Sequence, residues 1–190
     1  EKSNEDQLDL QGLNRQCSIY DANWTLVTSD KALINHILLL YLCWEYPIFS
    51  PLSKDHFLED FKTGNTEYCS SLLVNSILAV GSRYSDQPEV RRDPFDANTA
   101  GNNFFIEAIR ILELEKDRCR ITTIQAIHFL AIWEASCGRL TASLFYSDQS
   151  IGLAIEMGLH KDIDLRYSRN SGTIEQTVRL ATFWGCFSLD

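Results

Sequence analysis

The chain has 190 residues, of which 45% are hydrophobic and 23% are charged. This composition is that of an ordinary globular domain, and it excludes a disordered, collagen-like or low-complexity segment. The formal net charge is −9, and a surface this acidic is repelled by a phosphate backbone, so we expect no nucleic-acid contact by this segment alone.

The hydrophobic pattern divides the chain into two regions. Residues 1–27 carry many charged and amide side chains with little periodicity, which is typical of an N-terminal arm or linker. Residues 28–190 show helical periodicity and are predicted to form the domain. The longest apolar run, Ile37–Trp44, is far shorter than the ~20 residues of a membrane helix, and the chain does not begin with a secretory signal. We therefore expect no membrane association.

The first predicted helix begins after a capping Ser29 or Asp30 and ends at Tyr46, before Pro47. Its apolar residues recur at helical spacing, and so many of them are apolar that we expect protein on nearly every side. The predicted inward stripe comprises Leu33, Ile37, Leu40, Tyr41 and Trp44.

Six more helices follow, several of them closed by a glycine, and strand signals are few. The fold class is therefore predicted to be all-α, with about seven helices packed as antiparallel pairs. Residues 85–98 form a long polar loop of the kind that is usually functional or mobile. The helices are predicted over Ser53–Gly64, Ser70–Tyr84, Ala100–Lys116, Thr122–Cys137 and Thr141–Met157, and from Thr173 onward.

The last helix contains several large apolar residues and no terminating glycine or polar tail. We therefore expect that the chain is C-terminally truncated within a longer protein. The same exposed aromatic groups predict that the fragment alone self-associates or is only marginally stable.

No residue pattern in the sequence indicates catalysis or metal binding. The six cysteines include no Cys-x-x-Cys pair, so we interpret them as reduced structural residues. The sequence also lacks the glycine-rich motifs that bind nucleotide phosphates or dinucleotides, and the Gly-x-Ser-x-Gly motif that presents a nucleophilic serine. We predict no catalytic, cofactor-binding, metal or DNA-contacting residue. The histidines, each expected at the surface or hydrogen-bonded in the core, are His36, His56, His128 and His160.

Two polar residues interrupt apolar helices. Asn75 and Gln125 are flanked by aliphatic residues, and a buried amide needs hydrogen-bond partners. We expect each to make an interhelical bond that fixes the register of packing.

Seven segments, taken in order along the chain, carry a resemblance to one family: Tyr41–Phe49, Phe57–Leu58, Tyr68–Ser85, Phe105–Ala108, Thr122–Ala126, Gly152–His160 and Phe183–Asp190. The more distinctive elements among them are Thr122–Ala126, Met157–His160 and Phe183–Phe187. Together the segments resemble the fungal-specific transcription factor domain, the middle regulatory region of fungal zinc binuclear-cluster activators. Two stretches, Leu26–Asp30 and Trp44–Pro47, are similar to the nitrogen-assimilation subgroup.

This resemblance implies a nuclear regulatory domain that acts through protein co-regulators, the rest of its own chain or a small-molecule inducer. It implies that the parent protein binds DNA and zinc through a six-cysteine cluster. That cluster is absent from this segment, and the segment itself is expected to need no cofactor. The family often has several arginines before its Phe-Trp element, whereas only Arg179 is present here.

Two other hypotheses follow from the residues. A helical scaffold unrelated to transcription would present a groove to a partner peptide. An all-helical diphosphate lyase would need paired carboxylates that face a cavity, although the sequence has no Asp-Asp-x-x-Asp run.

Overall fold

The computed structural model describes residues 23–48, 51–161 and 174–189. These residues form seven α-helices, and the only β-type pairing among them is an isolated antiparallel bridge between Arg91 and Ala100. The predicted all-α fold is confirmed. The helices are α1 (Lys31–Leu40), α2 (Lys54–Thr63), α3 (Ser71–Gly81), α4 (Asn102–Leu114), α5 (Ile121–Ser136), α6 (Leu140–Glu156) and α7 (Ile174–Leu189).

Local capping interactions set several helix ends. The Asp30 carboxylate accepts hydrogen bonds from the backbone N–H groups of Ala32 (2.8 Å) and Leu33 (3.1 Å) at the start of α1. The α2 helix ends at Gly64, whose φ of 80° is a left-handed conformation that favours glycine. The predicted cap at Thr173 lies outside the described residues.

The region predicted as the first helix, which extends to Tyr46, contains a wide turn that the sequence pattern did not predict. After α1 the chain forms a π-helical turn over Tyr41–Glu45, closed by a 2.9 Å bond from the Tyr46 N–H to the Tyr41 carbonyl. The wider turn shifts the phase of the residues that follow it. Glu45 is consequently buried and Trp44 is 60% exposed, so the predicted inward position of Trp44 is wrong.

The α5 helix occupies the centre of the fold. All of its residues from Thr122 to Glu134 are buried, and it packs against α3, α6 and α7. The short connection Cys137–Arg139 places α6 beside α5 as a helical hairpin. The buried positions of α6 are small residues, which allow close approach of the two helices: Ser143, Ser147, Ser150 and Ala154.

The segment before α1 belongs to the packed body of the chain. The Trp24 indole N–H donates to the Phe61 carbonyl (2.8 Å), and the Thr25 hydroxyl donates to Asn75 Oδ1 (2.7 Å). Asn75 Nδ2 donates to the Trp24 carbonyl (3.2 Å) and to the Ser71 carbonyl (2.8 Å). The predicted interhelical bond of Asn75 is therefore a bond to this extended segment. Of the predicted arm, residues 1–27, the part up to residue 22 lies outside the described residues. Trp24 and Thr25, which belong to the same predicted arm, are buried against α2 and α3.

The α7 helix docks on α5 through a polar contact and a close glycine approach. The Gln125 amide donates to Thr182 Oγ1 (2.8 Å) and to the Pro51 carbonyl (3.0 Å), which confirms the interhelical bond predicted for Gln125. A Cβ at Gly185 would lie 2.3 Å from Pro51 Cα. The residue must therefore be glycine for α7 to lie against Pro51.

None of the helices in the described part of the chain combines the length and the apolar character needed to cross a lipid bilayer. The five cysteines in the same part of the chain form no disulfide: Cys43, Cys69, Cys119, Cys137 and Cys186. The sixth, Cys17, lies outside the described residues.

Candidate functional site

The four histidines lie apart and in different environments. His36 Nε2 lies 3.2 Å from Ser85 Oγ, and His56 Nδ1 lies 2.8 Å from Ser53 Oγ. Within residues 23–48, 51–161 and 174–189, no three His, Cys, Asp or Glu side chains are grouped so that they could hold a metal ion.

His128 departs from the prediction of a hydrogen-bonded core histidine. Its side chain is completely buried in α5, and neither ring nitrogen has a hydrogen-bond partner among the described residues. Burial lowers the pKa of His128 to about 4, because the imidazolium form would lose its hydration. The group is therefore neutral near pH 7. Glu134, on the same helix, forms an ion pair with Arg139.

An acidic hollow lies where α2 meets the loop that follows it and the start of α7. Its volume is about 360 Å³. The buried Asp60 carboxylate accepts from Asn65 Nδ2 (2.9 Å) and from the Tyr68 backbone N–H (2.6 Å), so it serves to order the loop. Burial, with a smaller contribution from Glu67, raises the pKa of Tyr68 to about 12. The lining residues are His56, Glu59, Asp60, Asn65, Glu67, Tyr68 and Ile174.

The carboxylates of this hollow do not form the site of a diphosphate lyase. Asp60 is engaged by the loop, while Glu59 and Glu67 are exposed to solvent. The lining is mainly polar, and an apolar chain would find little surface to bury there. The hollow therefore gives the lyase hypothesis no support.

Large apolar side chains point outward from α6 and α7. Leu140, Leu144 and Phe145 are exposed on α6, and Trp184 and Phe187 on α7. The rings of Trp184 and Phe187 meet edge to face, with centroids 5.7 Å apart. These two rings thus form a small apolar surface on α7, and contiguous exposed apolar surfaces are typical of protein–protein contacts. Sequence periodicity missed the outward face of α6 because the buried positions of this helix are three serines and an alanine.

A polar contact joins the wide turn to the short turn that follows α3. The Tyr84 hydroxyl donates to the buried Glu45 carboxylate. Burial raises the pKa of Glu45. No sequence signal marks this pair, since it forms only because the wide turn directs Glu45 inward.

Comparisons with known proteins agree with this description of a helical body. The family described as "Fungal specific transcription factor domain" matches residues 38–190. The chain therefore belongs to the fungal-specific transcription factor domain family, a class of regulatory domains and not of enzymes. No solved structure matches the chain at a significant level.

The curated relatives include two nitrogen assimilation transcription factors. The chain is 41% identical to nirA of Emericella nidulans over 88% of this chain and 19% of that protein. It is 38% identical to nit-4 of Neurospora crassa, over 88% of this chain and 16% of that protein. It is also 24% identical to the TY1 enhancer activator of Saccharomyces cerevisiae, over 95% of this chain and 24% of that protein. The chain thus spans less than a quarter of the length of each of these three proteins.

These relatives confirm the family that the seven segments suggested. They also confirm that the chain is not an enzyme and that it is similar to regulatory domains of fungal transcription factors. Family membership thereby decides against a scaffold unrelated to transcription.

Proposed function

We propose that this chain is the regulatory domain of a longer fungal transcription factor that acts in the nucleus. The single observation that carries the proposal is the family match over residues 38–190. The relatives nirA and nit-4 are several times longer than this chain, which leaves room for DNA-reading and activating regions elsewhere in the polypeptide.

In this proposal the parent protein reads DNA through a zinc binuclear cluster, and the segment described here needs no cofactor. The formal charge of −9 supports the assignment of DNA contact to another region of the parent protein, because this segment would be repelled by duplex DNA. The output is control of transcription by RNA polymerase II. The names of nirA and nit-4 suggest target genes in nitrogen assimilation.

The domain would regulate through contacts with co-regulators or with other parts of its own polypeptide. The outward apolar residues of α6 and α7, such as Leu144 and Trp184, support this role. The proposal also includes a small-molecule inducer, for which the hollow beside α2 offers little apolar surface.

Fluorescence anisotropy of a labelled promoter duplex tests the absence of DNA contact. We expect no sequence-selective binding by residues 1–190, even at low salt, where phosphate contacts are strongest. The matched sample is the parent protein with its zinc-cluster region, which should bind the same duplex. Salt-sensitive, selective binding by residues 1–190 would contradict the proposal.

A further inference from the structure

The polar loop between α3 and α4 presents a phenylalanine to solvent. Phe95 is 98% exposed, the highest value for any large apolar side chain in the described part of the chain. It lies in the turn Asp93–Asp96, which is closed by a 3.0 Å bond from the Asp96 N–H to the Asp93 carbonyl. A single exposed apolar residue is ordinary on a protein surface. The order of the surrounding loop is what distinguishes Phe95.

Side chains within the loop fix the turn from both sides. The Asp93 carboxylate accepts from the Phe95 N–H at 3.0 Å. The Thr99 hydroxyl accepts from the Asp93 N–H at 2.9 Å and donates to the Asp96 carbonyl at 2.7 Å. The Arg91 guanidinium donates to the Pro94 carbonyl at 3.0 Å. The backbone on each side of Phe95 is thereby held in one conformation.

The loop is also tied to the helical body. The Arg83 guanidinium donates to the Asn98 carbonyl (3.1 Å) and to the Ser136 carbonyl at the end of α5 (3.3 Å). Val90, a residue of the loop, is buried, and its carbonyl accepts from the Gly101 N–H (2.9 Å). Gly101 has a φ of 80°, and a Cβ there would lie 2.2 Å from the Ala79 carbonyl oxygen. The loop thus has a defined position against α3 and α5.

An aromatic side chain held in this way is preorganised for binding. Aromatic residues dominate the energetics of protein interfaces when they enter an apolar pocket of the partner. Association then costs less conformational entropy, because the backbone of the loop is already ordered. Packing against the described residues does not account for the position of Phe95, since its side chain is almost fully exposed.

The charges beside Phe95 indicate the chemistry of the partner. Residues 86–96 contain four carboxylates and two guanidinium groups, so the loop is net negative. Such a loop is complementary to a basic surface and is repelled by anionic lipid or nucleic acid. The charged residues are Asp86, Glu89, Asp93 and Asp96, and Arg91 and Arg92.

We propose that Phe95 is the anchor residue of a docking surface for a separate protein that offers an apolar pocket with a basic rim. This inference rests on the proposed function and deepens it by naming the surface and the kind of partner. Loss of such an anchor is expected to weaken binding of the partner by about 30-fold.

The test uses the full-length factor in its own cells, with a photoreactive benzoylphenylalanine placed at position 95. Leu114 is the matched control position, because it is 68% exposed but lies at the end of α4. We expect one protein adduct at position 95 that is absent at position 114, with its attachment site in an apolar pocket. An adduct pattern shared by both positions would overturn the proposal, as would attachment to lipid, to nucleic acid or to the factor's own chain.

Substitutions provide an independent readout. Phe95→Ala should lower the yield of the adducted partner in co-purification and alter transcript output, whereas Phe95→Leu should retain part of both. Leu114→Ala should behave as the unsubstituted factor. All three variants should unfold at the same temperature as the unsubstituted protein, because neither position is packed.

The two proposals fail in distinguishable ways. If replacement of residues 28–190 alters transcription and Phe95→Ala does not, the anchor is refuted while the regulatory function stands. If neither change alters transcription, the proposed function itself is refuted, and the anchor with it.

Discussion

Replacement of His128 is expected to remove an acid sensitivity that is built into the core. The side chain is completely buried, and neither ring nitrogen has a partner in the part of the chain that the structure describes, so the folded protein holds it neutral. Its pKa falls from 6.5 to about 4 on folding. Between pH 6.5 and about pH 4, His128 is protonated in the unfolded chain and neutral in the folded chain. The free energy of unfolding therefore falls as the pH is lowered through this range.

The size of this effect follows from the two pKa values. The free energy of unfolding should fall by about 2 kcal/mol between neutral pH and about pH 5, and by about 3 kcal/mol once the pH is below 4. His128→Leu keeps a buried side chain of similar size without an ionisable group, so the loss should disappear. At neutral pH the variant should be as stable as the unsubstituted protein or more so, because two unpartnered polar atoms are removed.

Urea unfolding at pH ~7.5 and at about pH 5, followed by far-UV circular dichroism, measures the difference. Carboxylates contribute the same pH dependence to both proteins, so subtraction isolates His128. The control is His56→Gln, which replaces a partly exposed, hydrogen-bonded histidine and should leave most of the acid sensitivity. Equal pH dependence in His128→Leu and the unsubstituted protein would refute the reasoning.

Three further predictions concern packing, capping and association. Gly185→Ala should destabilise the protein by about 1–3 kcal/mol in urea unfolding, since the new Cβ would meet the Pro51 backbone. At Gly152 a new Cβ would meet no described atom within 4 Å apart from its chain neighbours and its own helix backbone, so Gly152→Ala should instead stabilise the protein by roughly 0.5–1 kcal/mol; equal effects would be inconsistent with the docking of α7. Asp30→Ala should cost about 1 kcal/mol and Asp30→Asn almost nothing, because asparagine also caps α1; equal losses would argue against the cap. Sedimentation of residues 1–190 should show self-association that decreases in Trp184→Glu, whereas a monodisperse monomer with a sharp unfolding transition would contradict it.

Local signals in the sequence predicted much of the fold. Asp30, Ser70 and Gly64 mark helix ends through short-range hydrogen bonds or backbone conformation, and the helices begin and end near them. The polar Gln125 within an apolar helix predicted an interhelical bond, and the bond to Thr182 is present. Such features depend on residues that are close in sequence or on a simple rule of burial.

Features that depend on distant contacts escaped prediction. The wide turn that exposes Trp44 has no short sequence signature. Trp24 is buried through contacts with Phe61 and Asn75, which are distant from it in sequence. Whether a core histidine finds a partner depends on the side chains that surround it in space, which is why His128 was missed. The exposure of Phe95 likewise follows from the hydrogen bonds of its loop.

The most direct test of the regulatory role compares the intact parent factor with one whose residues 28–190 are replaced by an unrelated helical domain. Promoter occupancy and transcript level are measured in the same cells, with and without the inducing condition. We expect occupancy to persist while the response of transcription to the inducing condition is lost. Unchanged regulation after the replacement, or a loss of occupancy that by itself explains the loss of transcript, would contradict a regulatory domain that acts without contacting DNA.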